Sequence, residues 1–323
     1  MRKIDNYFDD PPESLKLAAL TERSTEQTGN EKAKMQRKGE PLTYKENSII
    51  DVVLKNKRIA GDDYKKRDDV KEKLLDIYSH CCAFCEGRVN KYDDIEHFRP
   101  KHGITDESKH IGYYWLGFVW SNLLLACDEC NRSFKQNNFP IEGSRVLYPP
   151  AADPPDYQAF YKECHIQSPV LVAEKPLLLH PVLDNPAEYL EFHADGTVTA
   201  RDAKLKGKKS IQHYGLSDWQ KRSILIDDRK EIVEDVRKKV RHSIAHFEND
   251  NRLYRDVLAI IAYLSGKQMP KNKLLSPYSA MYRTCIDRFE DFFIHSETIY
   301  TAEQKEQLQT AVARVRAKLE EIP

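Results

Sequence analysis

Cys82-Ala83-Phe84-Cys85 and Cys127-Asp128-Glu129-Cys130 are two C-x-x-C pairs of equal inner spacing, and between them lie Ile95-Glu96-His97-Phe98-Arg99-Pro100-Lys101 and Trp120-Ser121-Asn122-Leu123. Four thiolates from two such knuckles match tetrahedral zinc, and a four-cysteine site leaves no coordination position open. The spacing therefore predicts a structural zinc bound by Cys82, Cys85, Cys127 and Cys130, closing the ends of the segment between them. Cys81 stands beside Cys82 and could replace it as a ligand, although only Cys82 reproduces the spacing of the second pair. Cys164 and Cys285 are isolated and read as core residues.

The order C-x-x-C, acid-His-x-x-Pro, Asn-Leu, C-x-x-C-Asn, then Lys135 resembles the zinc-containing HNH endonucleases, whose active site is a β-hairpin followed by a helix, the ββα-metal motif. More narrowly, Cys85-Glu86, Glu96 to Lys101, Trp120 to Leu123 and Phe139-Pro140 resemble the HNH nucleases of Septu-type and retron-associated antiphage systems, the PtuB-like proteins. The match covers Cys82 to Pro140, with a weaker likeness around Leu178 to Pro181 and Asp184 to Pro186. It implies phosphodiester hydrolysis of DNA or RNA, an effector role in antiphage defence, and a partner ATPase of the ABC or SMC-like kind. This chain carries no Gly-x-x-x-x-Gly-Lys phosphate loop of its own.

The residues fit that chemistry. Hydrolysing a phosphodiester needs an activated water, neutralisation of phosphoryl charge and help for the leaving 3′ oxygen. His97, with Glu96 beside it, is the candidate general base, since a neutral imidazole takes a proton near pH 7. Glu96 and Asn131 offer a carboxylate and an amide oxygen, a hard donor pair suited to Mg²⁺ or Mn²⁺. By the resemblance, Asn122 bonds backbone and fixes the loop that holds the base. The sequence departs from the family pattern in Asn131, where a His gives HNH its name, and in Glu96, where Asp is commoner. Arg99, Lys101, Arg132 and Lys135 flank the site and are expected to hold phosphates, Lys135 foremost. Tyr113, Tyr114, Trp115, Phe118 and Trp120 read as packing rather than as base-stacking platforms.

Outward from this centre, Val70, Leu74, Leu75 and Tyr78 recur at helical spacing and predict a helix leading into Cys81. The stretch up to about Asp69 is polar and turn-rich, and Pro149 to Pro155 must be extended. Leu190, Phe192 and Ala194 before Asp195-Gly196, with Val198 and Ala200 after it, predict a β-hairpin. From Ser217, paired with Gln220 as a capping box, the chain reads as helical. Ile232, Val236, Val240, Ile244 and Phe247 mark one helix, and Leu253, Val257, Ile261 and Leu264 a second. A third follows Pro277, and Thr301 with Gln304 opens a last one carrying Leu308, Val312, Val315 and Leu319. The expected organisation is α+β: an N-terminal arm with short helices (1–69), a zinc-stapled ββα-metal core (70–148), a linker and hairpin region (149–216) and a helical region (217–323), so that the core is embedded in a mainly helical protein.

Composition bounds the rest. Of 323 residues, 40% are hydrophobic and 32% charged, the profile of a folded protein rather than a disordered one. Lys plus Arg and Asp plus Glu both total 51, so overall charge does not favour a nucleic-acid partner. Basic clusters at Lys32 to Lys38, Lys204 to Lys209 and Arg237 to Arg241 are either local footprints or solvated faces. No apolar run reaches the roughly 18 residues of a membrane span, and Met1 to Asn6 lack the apolar segment of a secretory leader, so a cytoplasmic protein with no membrane partner is expected. The rival reading is a catalytically silent zinc-binding adaptor, which would keep the cysteines without needing Glu96, His97 and Asn131 together.

Overall fold

The computed structural model describes residues 1–16, 68–90, 93–147, 162–201, 205–268 and 276–320. The basic cluster at Lys32 to Lys38, Lys204, the proline-rich segment 149–155 and most of the arm predicted before residue 70 lie outside them.

Helix α1, Asp68–Tyr78, buries Val70, Leu74, Leu75 and Tyr78 and opens with two aspartates. Acidic side chains there meet the positive end of the helix dipole. The helix packs on β2, Leu123–Leu125, which pairs antiparallel with β1, Ile95–His97, so that His97 faces Leu123 and Glu96 faces Leu124. All three leucines of β2 are fully buried, because the strand is covered on both sides. Burying each such side chain stabilises the fold by roughly 1.5–3 kcal/mol. A π-helical turn, Glu129–Lys135, follows β2 directly. Two short antiparallel strands and then a helix are thus the local order at the centre of the chain.

The second hairpin pairs β3, Leu190–Phe192, with β4, Val198–Ala200. Its turn requires Gly196, which adopts φ +84° and would bring an added Cβ within 2.1 Å of the Ile226 carbonyl. Five longer helices complete the architecture: α2 Leu205–Tyr214, α3 Ser223–Ala245, α4 Asp250–Gln268, α5 Ser279–Asp287 and α6 Ala302–Glu320. The α+β expectation matches this content of helices and two small sheets. Val236, Val240 and Ile244 of α3, Leu253, Val257, Ile261 and Leu264 of α4, and Leu308, Val312 and Val315 of α6 are buried as their spacing predicts, whereas Leu319 is exposed.

Two expectations need correction. Ser217 and Gln220 do not cap a helix: the Ser217 hydroxyl accepts from the Val198 amide and donates to its carbonyl, and α3 begins only at Ser223. The capping box of Thr301 and Gln304 is real, with the Thr301 amide donating to Gln304 Oε1 at 2.9 Å and the Gln304 amide to Thr301 Oγ1 at 3.2 Å. The second correction concerns the first residues. Met1, Ile4, Tyr7, Phe8 and Leu15, from the stretch expected to be an arm with short helices, belong to the buried core. Tyr7 donates its hydroxyl to the Leu123 carbonyl at 2.8 Å, and the Trp120 indole donates to the Tyr7 carbonyl at 3.0 Å. Tyr113, Tyr114, Trp115, Phe118 and Trp120 are all buried, as packing residues should be, as are Cys164 and Cys285. Among the described residues, no helix is long and apolar enough to cross a membrane.

Candidate active site and metal centre

The side-chain sulfurs of Cys82, Cys85, Cys127 and Cys130 all lie within 4.8 Å of one another, and all four residues are buried. Cys85 Sγ and Cys127 Sγ are 3.7 Å apart. That separation is far beyond a disulfide, yet four sulfurs at about 2.3 Å from a tetrahedral zinc stand roughly 3.8 Å from one another. The cluster therefore fits a metal such as zinc. Amides of Phe84 and Gly87 donate to the Cys82 and Cys85 sulfurs at 3.4 Å, and the Arg222 guanidinium reaches Cys130 Sγ at 3.4 Å. These donors would offset the surplus negative charge of four thiolates around one divalent ion. Cys81 is outside the cluster; its thiol contacts the Ser79 carbonyl, and its backbone bridges to Arg88. The choice between Cys81 and Cys82 falls to Cys82.

The first knuckle is hung on β2 through the Ala83 amide, which donates to the Leu125 carbonyl at 2.7 Å. The second knuckle leads into the π-helical turn that carries Asn131 and Lys135. A metal in the four-cysteine cluster would thus fix this turn against the β1–β2 sheet.

Glu96, His97 and Asn131 line one cleft of about 660 Å³, together with Lys71, Asp93, Asp94, Lys101 and His102. His97 Nε2 stands 3.1 Å from the Gly117 carbonyl. A carbonyl only accepts, so in the neutral ring Nε2 carries the proton and Nδ1 the lone pair. Burial drives the imidazole well below the ordinary histidine pKa, and the Lys101 ammonium pushes the same way. Burial also raises the Glu96 carboxyl above its usual value, while Lys135 pulls it back.

Asn122 is not on the cleft. Its Oδ1 accepts from the Arg99 amide at 2.8 Å, and its Nδ2 donates to the carbonyls of Arg99 and Leu116 at 3.1 and 3.2 Å. These bonds clamp the backbone just after His97 to the loop just before β2.

The four expected phosphate contacts divide into two pairs. Lys101 and Arg132 line the cleft, Arg132 with its guanidinium on Asp94 at 2.8 Å. Lys135 and Arg99 do not present their charge to solvent. The Lys135 ammonium is fully buried, 2.5 Å from Glu96 Oε1 and 3.0 Å from the His97 carbonyl that it serves as donor. Arg99 is equally buried, paired with Glu174 at 2.8 Å and donating to the Leu171 carbonyl at 2.7 Å. Neither cation lines the candidate cleft, Lys135 being paired with Glu96 and Arg99 with Glu174, so the expectation that these two hold phosphates there is withdrawn.

Sequence reading passed over Asp93, Asp94 and Lys71 on the cleft, the Gly117 carbonyl that meets His97, and Arg222 and Glu174. The consecutive acids Asp93-Asp94 just before Ile95 were a visible signal. The partners of Arg222 and Arg99 lie 92 and 75 residues away, which no local pattern betrays.

The chain is 36% identical over 177 residues, 53% of its own length and 53% of the relative's, to Septu protein PtuB of Bacillus mycoides (strain KBAB4). It is 26% identical over 194 residues, 58% of this chain and 24% of the relative, to Septu protein PtuA of the same organism. It thus spans about half the length of the first relative and about a quarter of the second. No family model matches the chain. No solved structure matches it.

Proposed function

We propose that this chain is a metal-dependent HNH endonuclease that acts as the effector of a Septu-type antiphage system. The observation that carries the reading is the setting of His97: a buried, neutral imidazole whose Nε2 faces the Gly117 carbonyl, on a cleft shared with Glu96 and Asn131. The likeness to PtuB and PtuA supports the defence context.

In this reading Nδ1 of His97 takes a proton from a water as its oxygen attacks phosphorus. The P–O bond to the water forms, the P–O3′ bond breaks, and the 3′ oxygen leaves with a proton from solvent. Glu96 and Asn131 present oxygen donors without sulfur, a set that fits Mg²⁺ or Mn²⁺. Such an ion would supply charge neutralisation at the phosphoryl oxygens and the leaving oxygen. Asn122 holds the backbone carrying the base, and in this reading Lys101 and Arg132, which line the cleft, meet the nucleic-acid strand there. Lys135 is a positioning residue: it holds the Glu96 carboxylate and the His97 carbonyl to the turn after the second knuckle. In this reading the four-cysteine cluster is a structural zinc site and the chain works in the cytoplasm with an ABC or SMC-like ATPase; the likeness to two Septu proteins supports a multi-protein defence complex.

The test is incubation of purified protein with plasmid, single-stranded DNA and transfer RNA, each with Mg²⁺ or Mn²⁺. His97→Ala is expected to cut ~10² to 10⁴-fold more slowly with fold and zinc content intact. Glu96→Ala and Asn131→Ala should lose activity too and regain part of it at higher Mn²⁺. Cleavage by the His97 variant at the parental rate would remove the base assignment. One observation favours a second reading, a catalytically silent zinc-binding adaptor: Glu96 already has its charge compensated by Lys135. An inactive parent that co-purifies with an ATPase would establish that reading.

A further inference from the structure

Behind β1 lies a second cavity, of about 800 Å³, that the proposed nuclease chemistry does not use. The run from Glu96 to Lys101 walls both cavities. Glu96, His97, Pro100 and Lys101 face the candidate cleft, whereas Phe98 and Arg99 face the second cavity. Its volume lies within the roughly 300–1,000 Å³ of small-molecule sites.

The buried polar groups left without a partner in its wall are donors; of the acidic side chains on the lining, Glu142 is exposed at the rim, and Asp184 accepts from the His180 amide and pairs with Lys206. His180 is 1% exposed, and its Nδ1 accepts from the Val182 amide at 3.1 Å, so the proton of the neutral ring sits on Nε2. That Nε2 has no hydrogen-bond partner among the described residues, and neither has Nη1 of Arg99, itself 1% exposed. Both are donors, and buried donors in folded proteins are satisfied by some acceptor. The rings of Phe98 and Tyr189 and the side chains of Leu171 and Leu177 make the intervening wall apolar, and Lys175 and Lys206 stand on the lining as cations. Lys206 shares its charge with Asp184 at 2.7 Å, while Lys175 is exposed. Leu183 and Leu205 are 37% and 45% exposed, large apolar groups left open on the same lining.

We propose that this second cavity binds a nucleotide whose base carries carbonyl oxygens, guanine or uracil, with the base toward His180 and Arg99 and the phosphate toward Lys175. Two donors at the buried end select an edge of acceptors, O6 and N7 of guanine or O4 of uracil, and oppose adenine, which carries its 6-amino group on that edge. The apolar wall of Phe98, Tyr189, Leu171 and Leu177 suits the ring, and the exposed Lys175 suits a phosphate monoester. The inference is independent of the nuclease reading, since none of these residues takes part in it except through the backbone shared with His97.

The experiment is titration of the full chain with GMP, UMP, AMP and inorganic phosphate, followed by calorimetry and thermal melting. GMP or UMP is expected to bind saturably with Kd below about 1 mM and to raise the melting temperature, with AMP at least about tenfold weaker. Leu183→Trp, which fills the cavity from its exposed edge, should abolish binding while melting like the parent. Lys101→Ala on the cleft side should leave it unchanged, which separates this site from nucleotide entering the cleft. A response to phosphate equal to that of GMP and UMP would reduce the cavity to a bare anion contact and overturn the proposal. So would no response to GMP or UMP at about 5 mM, or binding that survives Leu183→Trp.

Discussion

Lys135 Nζ lies 2.5 Å from Glu96 Oε1 with both side chains withdrawn from solvent, so the π-helical turn after the second knuckle is tied to the strand that carries His97. Breaking one side of a buried pair leaves the other charge uncompensated, at a cost of ~3–5 kcal/mol. Lys135→Met should therefore lower the stability read by urea denaturation by about that amount. If the chain cuts nucleic acid, kcat should fall while KM and the salt dependence of binding stay put. A phosphate contact would behave differently, weakening binding and reducing the salt slope by about 1. Lys135→Arg, which keeps the charge, should recover part of the loss.

Elemental analysis should find about one zinc per chain, because four sulfurs of a single cluster make one tetrahedral site. Cys127→Ser, or treatment with a strong chelator, should collapse the central sheet and turn together, since the free energy of a structural zinc is folding free energy. Near-ultraviolet circular dichroism would follow the loss, the buried Trp115 and Trp120 serving as reporters. A Cys81→Ser variant should keep the zinc.

Glu174 is fully buried and accepts from Arg99 Nε, from the Tyr113 hydroxyl at 2.6 Å and from the Val146 amide at 2.9 Å. Glu174→Ala should cost ~3–5 kcal/mol in equilibrium unfolding, because it strands the Arg99 guanidinium. The double variant Glu174→Leu with Arg99→Met should recover a large part of that loss. A double variant no more stable than Glu174→Ala would mean that the network serves packing rather than charge compensation.

Acid should destabilise the fold through His180. Burial holds its imidazole well below the ordinary histidine value, aided by the nearby Arg99, Lys206 and Lys3 cations. The folded state therefore binds its proton less readily than the unfolded state. Its contribution is fully present above the unfolded pKa of about 6.5 and is lost as pH falls below that value toward the folded pKa. Each such histidine adds a slope of at most ~1.4 kcal/mol per pH unit. His180→Asn keeps an acceptor for the Val182 amide and should flatten the decline between pH 6.5 and 5, as measured by urea midpoints. An unchanged profile would remove His180 from the account.

What could be read from the sequence were features that chemistry fixes at short range. Two knuckles announce themselves because their equal spacing is the one a tetrahedral ion would require, and α1, α4 and α6 because a helix buries every third or fourth residue. The clustering of Glu96, His97 and Asn131 followed from motif order. What escaped was settled by distant partners. Lys135 and Arg99 looked like surface cations until Glu96 and Glu174 enclosed them, from 39 and 75 positions away in the chain. Ser217 looked like a helix cap because its hydroxyl could have served one, but the edge of β4 took it first. Burial of the first residues was equally invisible, since Met1, Ile4, Tyr7 and Phe8 form too short a run to mark an element.

Cys85 and Cys127 are 42 residues apart, and their sulfurs meet where the first knuckle docks on β2 through the Ala83 amide. Holding the ends of so long a span together costs roughly 3 kcal/mol of chain entropy beyond a constant. The first knuckle can hold an ion with two sulfurs from a single tight turn, but the last two sulfurs arrive with β2. Metal release should then need the knuckle and β2 to part rather than a ligand to swing away. Under chelator challenge the zinc should leave at the rate at which that contact opens, independent of chelator concentration once that is high, so that the ion becomes a clock for the slowest breathing of the centre of the molecule.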